Sequence, residues 1–295
     1  MMGIPRVKRS GGRCISIVLM LLLGTFISFF QLSSVAHGAD LGIIGASDLN
    51  KNPLGWIVLD ARPKSEWTAG HIPGALSFSW EDYTRTDEQG IPYRVWQPQA
   101  LAKSLGAMGI TENTPIVVYG DADKSWGGEG WTCWVLSWLG HKGPVRLLAG
   151  GMQSWKANAF PLVAAAEKRN IKGVRYNVTL YPSLDISTAE IEKNRAGLVL
   201  VDTRSTLEWL RGRIPGAIHI PWDDFYSGND RRPLSPDALK KLQQKNGVDI
   251  RKPIVYYCTG GIRSGYSWLV HQLSGLPAAK NYEGGYEAWQ RQHSQ

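Results

Sequence analysis

The chain has 295 residues, of which 43% are hydrophobic and 20% charged, with a formal net charge of +8. That is enough apolar residue to bury a core, it excludes a disordered chain, and the length argues for two ordinary domains. Four of the basic residues, Arg6, Lys8, Arg9 and Arg13, precede the first acid, so the rest carries +8 − 4 = +4, with no concentrated basic run of the kind that marks a nucleic-acid footprint.

Residues 1–39 read as a secretory signal peptide. The basic start is followed by sixteen mostly apolar residues, Ile15 to Phe30, and then by QLSSVAHGAD, where Ala36-His37-Gly38 or Ser34-Val35-Ala36 offers a small-x-small cleavage site. The alternative is an uncleaved N-terminal membrane anchor, for which the run is short and interrupted by Gly24, Thr25 and Ser28. The expectation is an exported, periplasmic protein with no stable membrane association after cleavage. Of the three cysteines, Cys14 leaves with the signal, while Cys133 and Cys258 remain. Two cysteines do not make a disulfide scaffold, and there are no Cys/His sets at zinc spacing. They form one bridge, or at least one is a free thiol kept for its chemistry.

Beyond residue 40 the chain repeats itself. VLDARPKSEWTAGHIPGALSFSW from Val58 aligns with LVDTRSTLEWLRGRIPGAIHIPW from Leu200, pairing Asp60 with Asp202, Arg62 with Arg204, and Glu66-Trp67 with Glu208-Trp209. PIVVYG from Pro115 aligns with PIVYYC from Pro253, and AGGMQSW ending at Trp155 aligns with EGGYEAW ending at Trp289. A period near 140 residues is too long for a solenoid and means two copies of one domain, 40–160 and 180–295, joined by a linker at 161–179. In each copy the short apolar runs WIVLDAR, LVLVDTR, PIVVYG and PIVYYC predict buried parallel strands. Ser187-Thr188-Ala189-Glu190 predicts a helix start with a capping box, and Pro98–Leu105 and Pro236–Asn246 predict helices. Strands alternating with helices give an α/β domain with helices on both faces of a mainly parallel sheet. Ligands of such sheets bind at the carboxyl ends of strands, where Cys258 falls.

The loop Cys258–Arg263, CTGGIR, leaves a strand and enters a helix. Gly260 and Gly261 let successive N–H groups turn inward, a nest at a helix N-terminus that holds anions. A thiolate there, with Arg263 across the loop, is expected below the free cysteine pKa of about 8.5, so no general base is needed. In the first copy Gly120 takes the place of the cysteine, in a loop three residues longer that contains Asp121, Asp123 and Glu129. Asp202 and Arg204 read as braces of the active loop that could also reach it. Trp222 reads as a cleft wall or a packing residue, and Cys133 in WTCWVLSWL reads as buried core. His71, His219 and His271 have no partner pattern and read as surface or core residues.

With these motifs in order over residues 40–293, the chain resembles the tandem-domain rhodaneses, the thiosulfate and 3-mercaptopyruvate sulfurtransferases. The resemblance implies a five-stranded parallel sheet in each domain, a non-catalytic first domain, a catalytic second domain and a cleft between them. It implies that Cys258 attacks the sulfane sulfur of a small anionic donor such as thiosulfate and passes it from a persulfide to cyanide or a thiol, with no metal or organic cofactor. Thr259, Gly260, Gly261, Ile262 and Ser264 would offer backbone N–H groups to the sulfur, and Arg263 would hold the sulfonate end. Arg204 is also assigned to the substrate side. The chain departs from the pattern at Glu208, near which those two-domain enzymes carry a donor-binding Arg, and in the loop itself, which is neither Cys-Arg-Lys-Gly nor Cys-Gly-Ser-Gly. The competing readings are a non-catalytic sulfur carrier, a Cys-loop phosphatase and a thiol oxidoreductase. A phosphatase loop needs five residues between Cys and Arg where this one has four, and the oxidoreductase lacks a resolving cysteine near Cys258.

Overall fold

The computed structural model describes residues 1–3, 38–164 and 171–293, so the signal-peptide reading lies outside the described residues. The two repeats fall in one compact unit, Val35–Gln295.

In the first repeat the chain runs β1 (Asp40–Ile44), α1 (Ala46–Lys51), β2 (Ile57–Asp60), α2 (Lys64–Ala69), β3 (Leu76–Ser77) and α3 (Trp80–Tyr83). A two-stranded antiparallel hairpin, β4 (Thr84–Arg85) and β5 (Arg94–Val95), follows. Then come α4 (Pro98–Ala107), β6 (Ile116–Tyr119), α5 (Gly128–Trp138), β7 (Pro144–Leu148) and α6 (Gly151–Ala157). The second repeat runs α7 (Thr188–Asn194), β8 (Val199–Asp202), α8 (Thr206–Arg211), β9 (Ile218–His219), a hairpin of β10 (Tyr226–Ser227) and β11 (Arg232–Pro233), α9 (Pro236–Lys245), β12 (Ile254–Tyr257), α10 (Ile262–Leu273), β13 (Lys280–Asn281) and α11 (Gly285–His293). The predicted capping box is present at Ser187 and Glu190.

The sheets have the orders β1-β7-β6-β2-β3 and β13-β12-β8-β9, all pairs parallel. All four residues of β6 and of β12 are buried, as expected of a central strand with helices on both faces. The α/β architecture is thus the expected one, with one difference: the second sheet has four strands among the described residues, not five. The chain that would lie beside β13 as β1 lies beside β7 enters a 3-10 turn at Pro182–Leu184. Its carbonyls at Ser183 and Asp185 take hydrogen bonds from the Lys280 ammonium at 2.9 and 3.0 Å in place of a strand partner.

The Asp-x-Arg repeat closes each central strand onto its neighbouring loop. Arg62 binds Asp60 and the Gly70 carbonyl, and Arg204 binds Asp202 and the Gly212 carbonyl at 2.7 Å. All four side chains are buried. The linker packs on the first repeat: Val163 bridges His71, and Asn177 is held by Glu112.

The two repeats meet where α5 crosses α10. A Cβ on Gly130 would overlap the Tyr266 backbone, and one on Gly265 would lie 2.9 Å from the Trp131 Cα, so these two glycines set how closely the helices approach. A second contact joins the hairpin of the first repeat to the second. Arg94 pairs with the buried Glu283, whose other oxygen accepts from the Val95 amide at 2.6 Å. Burial raises the Glu283 carboxyl to about 7, with Arg94 pulling down and Asp185 adding to the rise. In the unfolded chain a glutamate titrates near about 4.3. Between those values the native state keeps a proton that the unfolded state releases, so this contribution is present in acid and is lost as pH rises toward 7. Urea unfolding should show stability falling by on the order of 2 kcal/mol from pH ~5 to pH ~7.5 through this group. Glu283→Gln should flatten that slope, and an unchanged slope would remove Glu283 as its source.

Candidate active site

Cys258 sits at the carboxyl end of β12 with 1% exposure, and α10 begins four residues later. Gly261 is the N-cap in the left-handed region, φ 81°, with the Glu283 backbone against the place of its missing Cβ. The first backbone bond of the turn runs from Gly265 N–H to the Gly261 carbonyl at 3.1 Å. The amides of Thr259–Ser264 have no acceptor among the described residues. They form the expected cradle of unspent donors at a helix N-terminus.

The loop is fixed from behind by α11. Tyr286 N–H binds the Cys258 carbonyl at 2.8 Å and Glu287 N–H binds that of Thr259 at 3.1 Å. Gly285, φ 58°, lets the helix come that close, which gives the Gly-Gly…Trp motif its physical meaning. Ser264 Oγ donates to Asn281 at 2.6 Å, and Asn281 donates to the Gly261 carbonyl at 3.0 Å, so the Ser264 side chain is a brace.

Arg263 does not stand free across the loop. Its two terminal nitrogens bind both Glu208 oxygens at 2.7 Å, and Nη2 also donates to Thr259 Oγ1 at 2.6 Å. Thr259 Oγ1 in turn donates to Glu208 at 2.9 Å, and Glu208 caps α8 through Ser205. Burial opposes ionisation of Glu208, but hydrogen bonds from Arg263, Ser205 and Thr259 hold it well below the usual carboxylate range. Burial likewise opposes the Arg263 charge, yet the Glu208 hydrogen bond and the charge of Cys258 raise it above the ordinary guanidinium value. The guanidinium is therefore an electrostatic neighbour of the sulfur, with its terminal nitrogens already spent on a carboxylate and a hydroxyl. This changes its expected role as the grip on a sulfonate.

One further assignment needs correction, and the open reading of Trp222 is decided in favour of packing. Arg204 is not among the cleft residues: it is tied to Asp202 and Gly212 and lies 3.9 Å from the Tyr286 ring centroid, a brace held by buried acceptors. Trp222 packs on Tyr226 and Tyr266. The cleft wall is formed instead by its repeat partner Trp80, with Glu81, Tyr93 and Trp126, all from the first repeat. They enclose about 450 Å³ over Cys258, Thr259, Gly260, Ile262 and Arg263. Tyr93 rests on Gly260, where any side chain would collide with it. The signal available for these residues was the repeat alignment itself, which places Trp80 opposite Trp222.

The first repeat shows what the second would be without the thiol. At Gly120, the position matching Cys258, a Cβ would overlap the Glu129 carboxylate. That carboxylate, raised by burial against a hydrogen bond from Tyr226 at 2.7 Å, fills the sulfur's place. The loop amides there are spent internally: Asp121 N–H on Ser125 Oγ at 2.6 Å, Lys124 and Ser125 on the Asp121 carbonyl. Cys133 is fully buried in α5, and burial first, then Glu129, pushes its thiol far above the ordinary range. Both Cys133 and Cys258 are free thiols. His71, His219 and His271 bond to the carbonyls of Trp67, Arg204 and Pro277, as packing residues do.

The rhodanese-like domain family matches twice, at residues 46–158 and 187–292. The sulfur carrier protein TtuD of Thermus thermophilus is 32% identical over 246 residues, covering 76% of this chain and 83% of that protein. The human 3-mercaptopyruvate sulfurtransferase is 28% identical over 245 residues, 78% and 80% of the two chains. Among solved structures, the 3-mercaptopyruvate sulfotransferase SseA of Escherichia coli superposes with a TM-score of 0.72 at 22% identity, over 82% of this chain and 98% of that one.

Proposed function

This chain belongs to the rhodanese-like domain family, in two copies, and its relatives include sulfurtransferases; from that premise we propose that it moves sulfane sulfur through a persulfide on Cys258. The observation that carries the reading is the contrast between the repeats. Among the described residues, one has a thiol among amides without an acceptor, and the other has a carboxylate among amides already bonded.

The Cys258 thiolate attacks the outer sulfur of a donor such as thiosulfate. A sulfur–sulfur bond forms, the donor's own sulfur bond breaks, and sulfite leaves with the electron pair. The amides of Thr259–Ser264 hold the negative charge on the transferred sulfur, and the Arg263 guanidinium stabilises it at short range. An acceptor, cyanide or a thiol, then takes that sulfur and returns Cys258 to the thiolate. The site residues we propose are thus Cys258 as nucleophile and the loop amides as its cradle, with Arg263 held in place by Glu208. The reaction would take place in the periplasm once the signal is removed.

Intact-mass measurement tests this. After thiosulfate or another sulfane donor, the wild-type protein should gain one sulfur and Cys258→Ala none. No gain with any donor sinks the reading. The name of the Thermus relative favours a second reading, a sulfur carrier loaded by a partner. Multiple turnovers with cyanide mark an enzyme, and a loaded protein that discharges only to a protein acceptor marks a carrier.

A further inference from the structure

The wall that the first repeat adds to the Cys258 cleft touches the loop: Tyr93 covers Gly260, and the Arg263 guanidinium lies 5.9 Å from the centroid of the Trp126 ring. Trp126 is 55% exposed and Tyr93 38% exposed, and both sit on left-handed backbone, φ 54° and 63°. A non-glycine residue there costs on the order of 1–2 kcal/mol, and exposing a large ring gains nothing in stability, so the two rings are held over the cleft against local preference. Trp80 completes the set, its ring meeting Tyr93 edge-on at 6.0 Å between centroids.

The charges in the same cleft are unbalanced. Glu81 and Glu208 contribute two carboxylates, and the Cys258 sulfur anion adds a third negative charge. Against them stands one guanidinium, Arg263, whose terminal nitrogens are already bonded. The Glu81 carboxylate has no hydrogen bond or ion pair among the described residues. An anion would find donors at the loop amides of Thr259–Ser264, whereas at the rim it would meet the Glu81 carboxylate and the negative faces of aromatic rings. A cation at the rim would meet the Glu81 carboxylate and ring faces, with the loop amides and Arg263 on the side of the sulfur.

We propose that the aromatic rim of Trp80, Tyr93 and Trp126, with Glu81, recognises a positively charged group on the sulfur acceptor, and that the acceptor is a small cationic thiol. The inference rests on the persulfide reading and adds the class of acceptor to it. The acceptor thiolate forms a bond to the outer sulfur of Cys258–S–SH. The Cys258 sulfur–sulfur bond breaks with its electron pair returning to Cys258, and the acceptor leaves as RS–SH, with no net oxidation.

The test uses the purified protein loaded with sulfur, freed of donor and discharged in single turnovers by three thiols of similar size: cysteamine, 2-mercaptoethanol and 3-mercaptopropionate. Rates are corrected for the thiolate fraction of each. Cysteamine should exceed 3-mercaptopropionate by about 10-fold, the scale of a partly desolvated cation–ring contact with a nearby carboxylate. Trp126→Ala, a truncation of an exposed side chain, and the isosteric Glu81→Gln should each bring that ratio toward 1. Equal rates, or the anion faster, in a protein that does load sulfur overturn the inference and leave the persulfide intact. A second arm does not need the persulfide: choline should show saturation transfer to its methyl protons from the wild-type protein, lost in Trp126→Ala. The neutral isostere 3,3-dimethylbutanol should show less. No choline signal, or an equal one from the isostere, overturns the cationic site, whereas failure to load sulfur with choline still bound overturns only the reading of Cys258.

Discussion

Cys258→Ser is expected to lower the single-turnover rate of sulfur transfer by about 10³-fold or more, the scale on which losing a covalent nucleophile acts. The substitution keeps the shape of a residue that is 1% exposed, so the fold should hold. The loss is chemical. The cradle stabilises an anion already formed, and an alcohol does not ionise near neutral pH. Glu208, the carboxylate bonded to the loop, does not serve as a base, because it is committed to Arg263, Thr259 and Ser205. Cys133→Ala is the control: with that thiol sealed in α5, it should cost about 1 kcal/mol of stability and leave transfer unchanged. Transfer that survives Cys258→Ser but disappears in Cys133→Ala would move the nucleophile to the other repeat.

Gly285→Ala is expected to have the largest effect on stability, a loss of roughly 2–4 kcal/mol in urea unfolding. Its φ of 58° alone costs a side chain about 1–2 kcal/mol. The added Cβ would also lie 2.7 Å from the Cys258 carbonyl and closer still to that of Thr259. These contacts are with backbone, so α11 and the active loop must separate. That loosens the bonds from the Tyr286 and Glu287 amides that fix the Cys258 turn, and sulfur loading should fall with stability. Gly197→Ala, with nothing within 4 Å of the new Cβ, should change neither by more than a few tenths of a kcal/mol. A Gly285 variant as stable as wild type would show that the helix can retreat freely.

Much of the arrangement was legible because it is written twice. Asp60 and Asp202, or Gly150 and Gly284, fall at matching places, so each motif in one repeat supports its counterpart. The cradle was legible because its parts are adjacent in sequence: a strand end, two glycines and a helix start. The cleft wall was not. Reading along the second repeat leads to Trp222, yet the hairpin of each repeat reaches across to the other. Tyr93 and Arg231, at matching positions with φ of 63° and 53°, therefore serve opposite domains. Tyr93 covers Gly260, and Arg231 lies by Gly120 and Gly150. No periodicity within a repeat encodes such an exchange. The pairing of Arg263 with Glu208 lies within the second repeat but joins residues 55 apart in sequence, which no local pattern displays, and it turned an expected substrate grip into an internal ion pair.

The carboxylate that fills the first repeat's vacant sulfur position has a bearing on how this molecule can evolve. A single Gly120→Cys change would not restore a second reactive site, because the new side chain would have to displace Glu129, and Glu129 is bonded to Tyr226 of the other domain. Recovering the thiol would also require a shorter loop, to release amides now bonded to one another. Each intermediate on that route would disturb the contact between the domains before it gained any chemistry. The difference between the copies is thus held in place by packing: Glu129, which fills the position of the thiol in the first repeat, is also bonded across the contact between the domains.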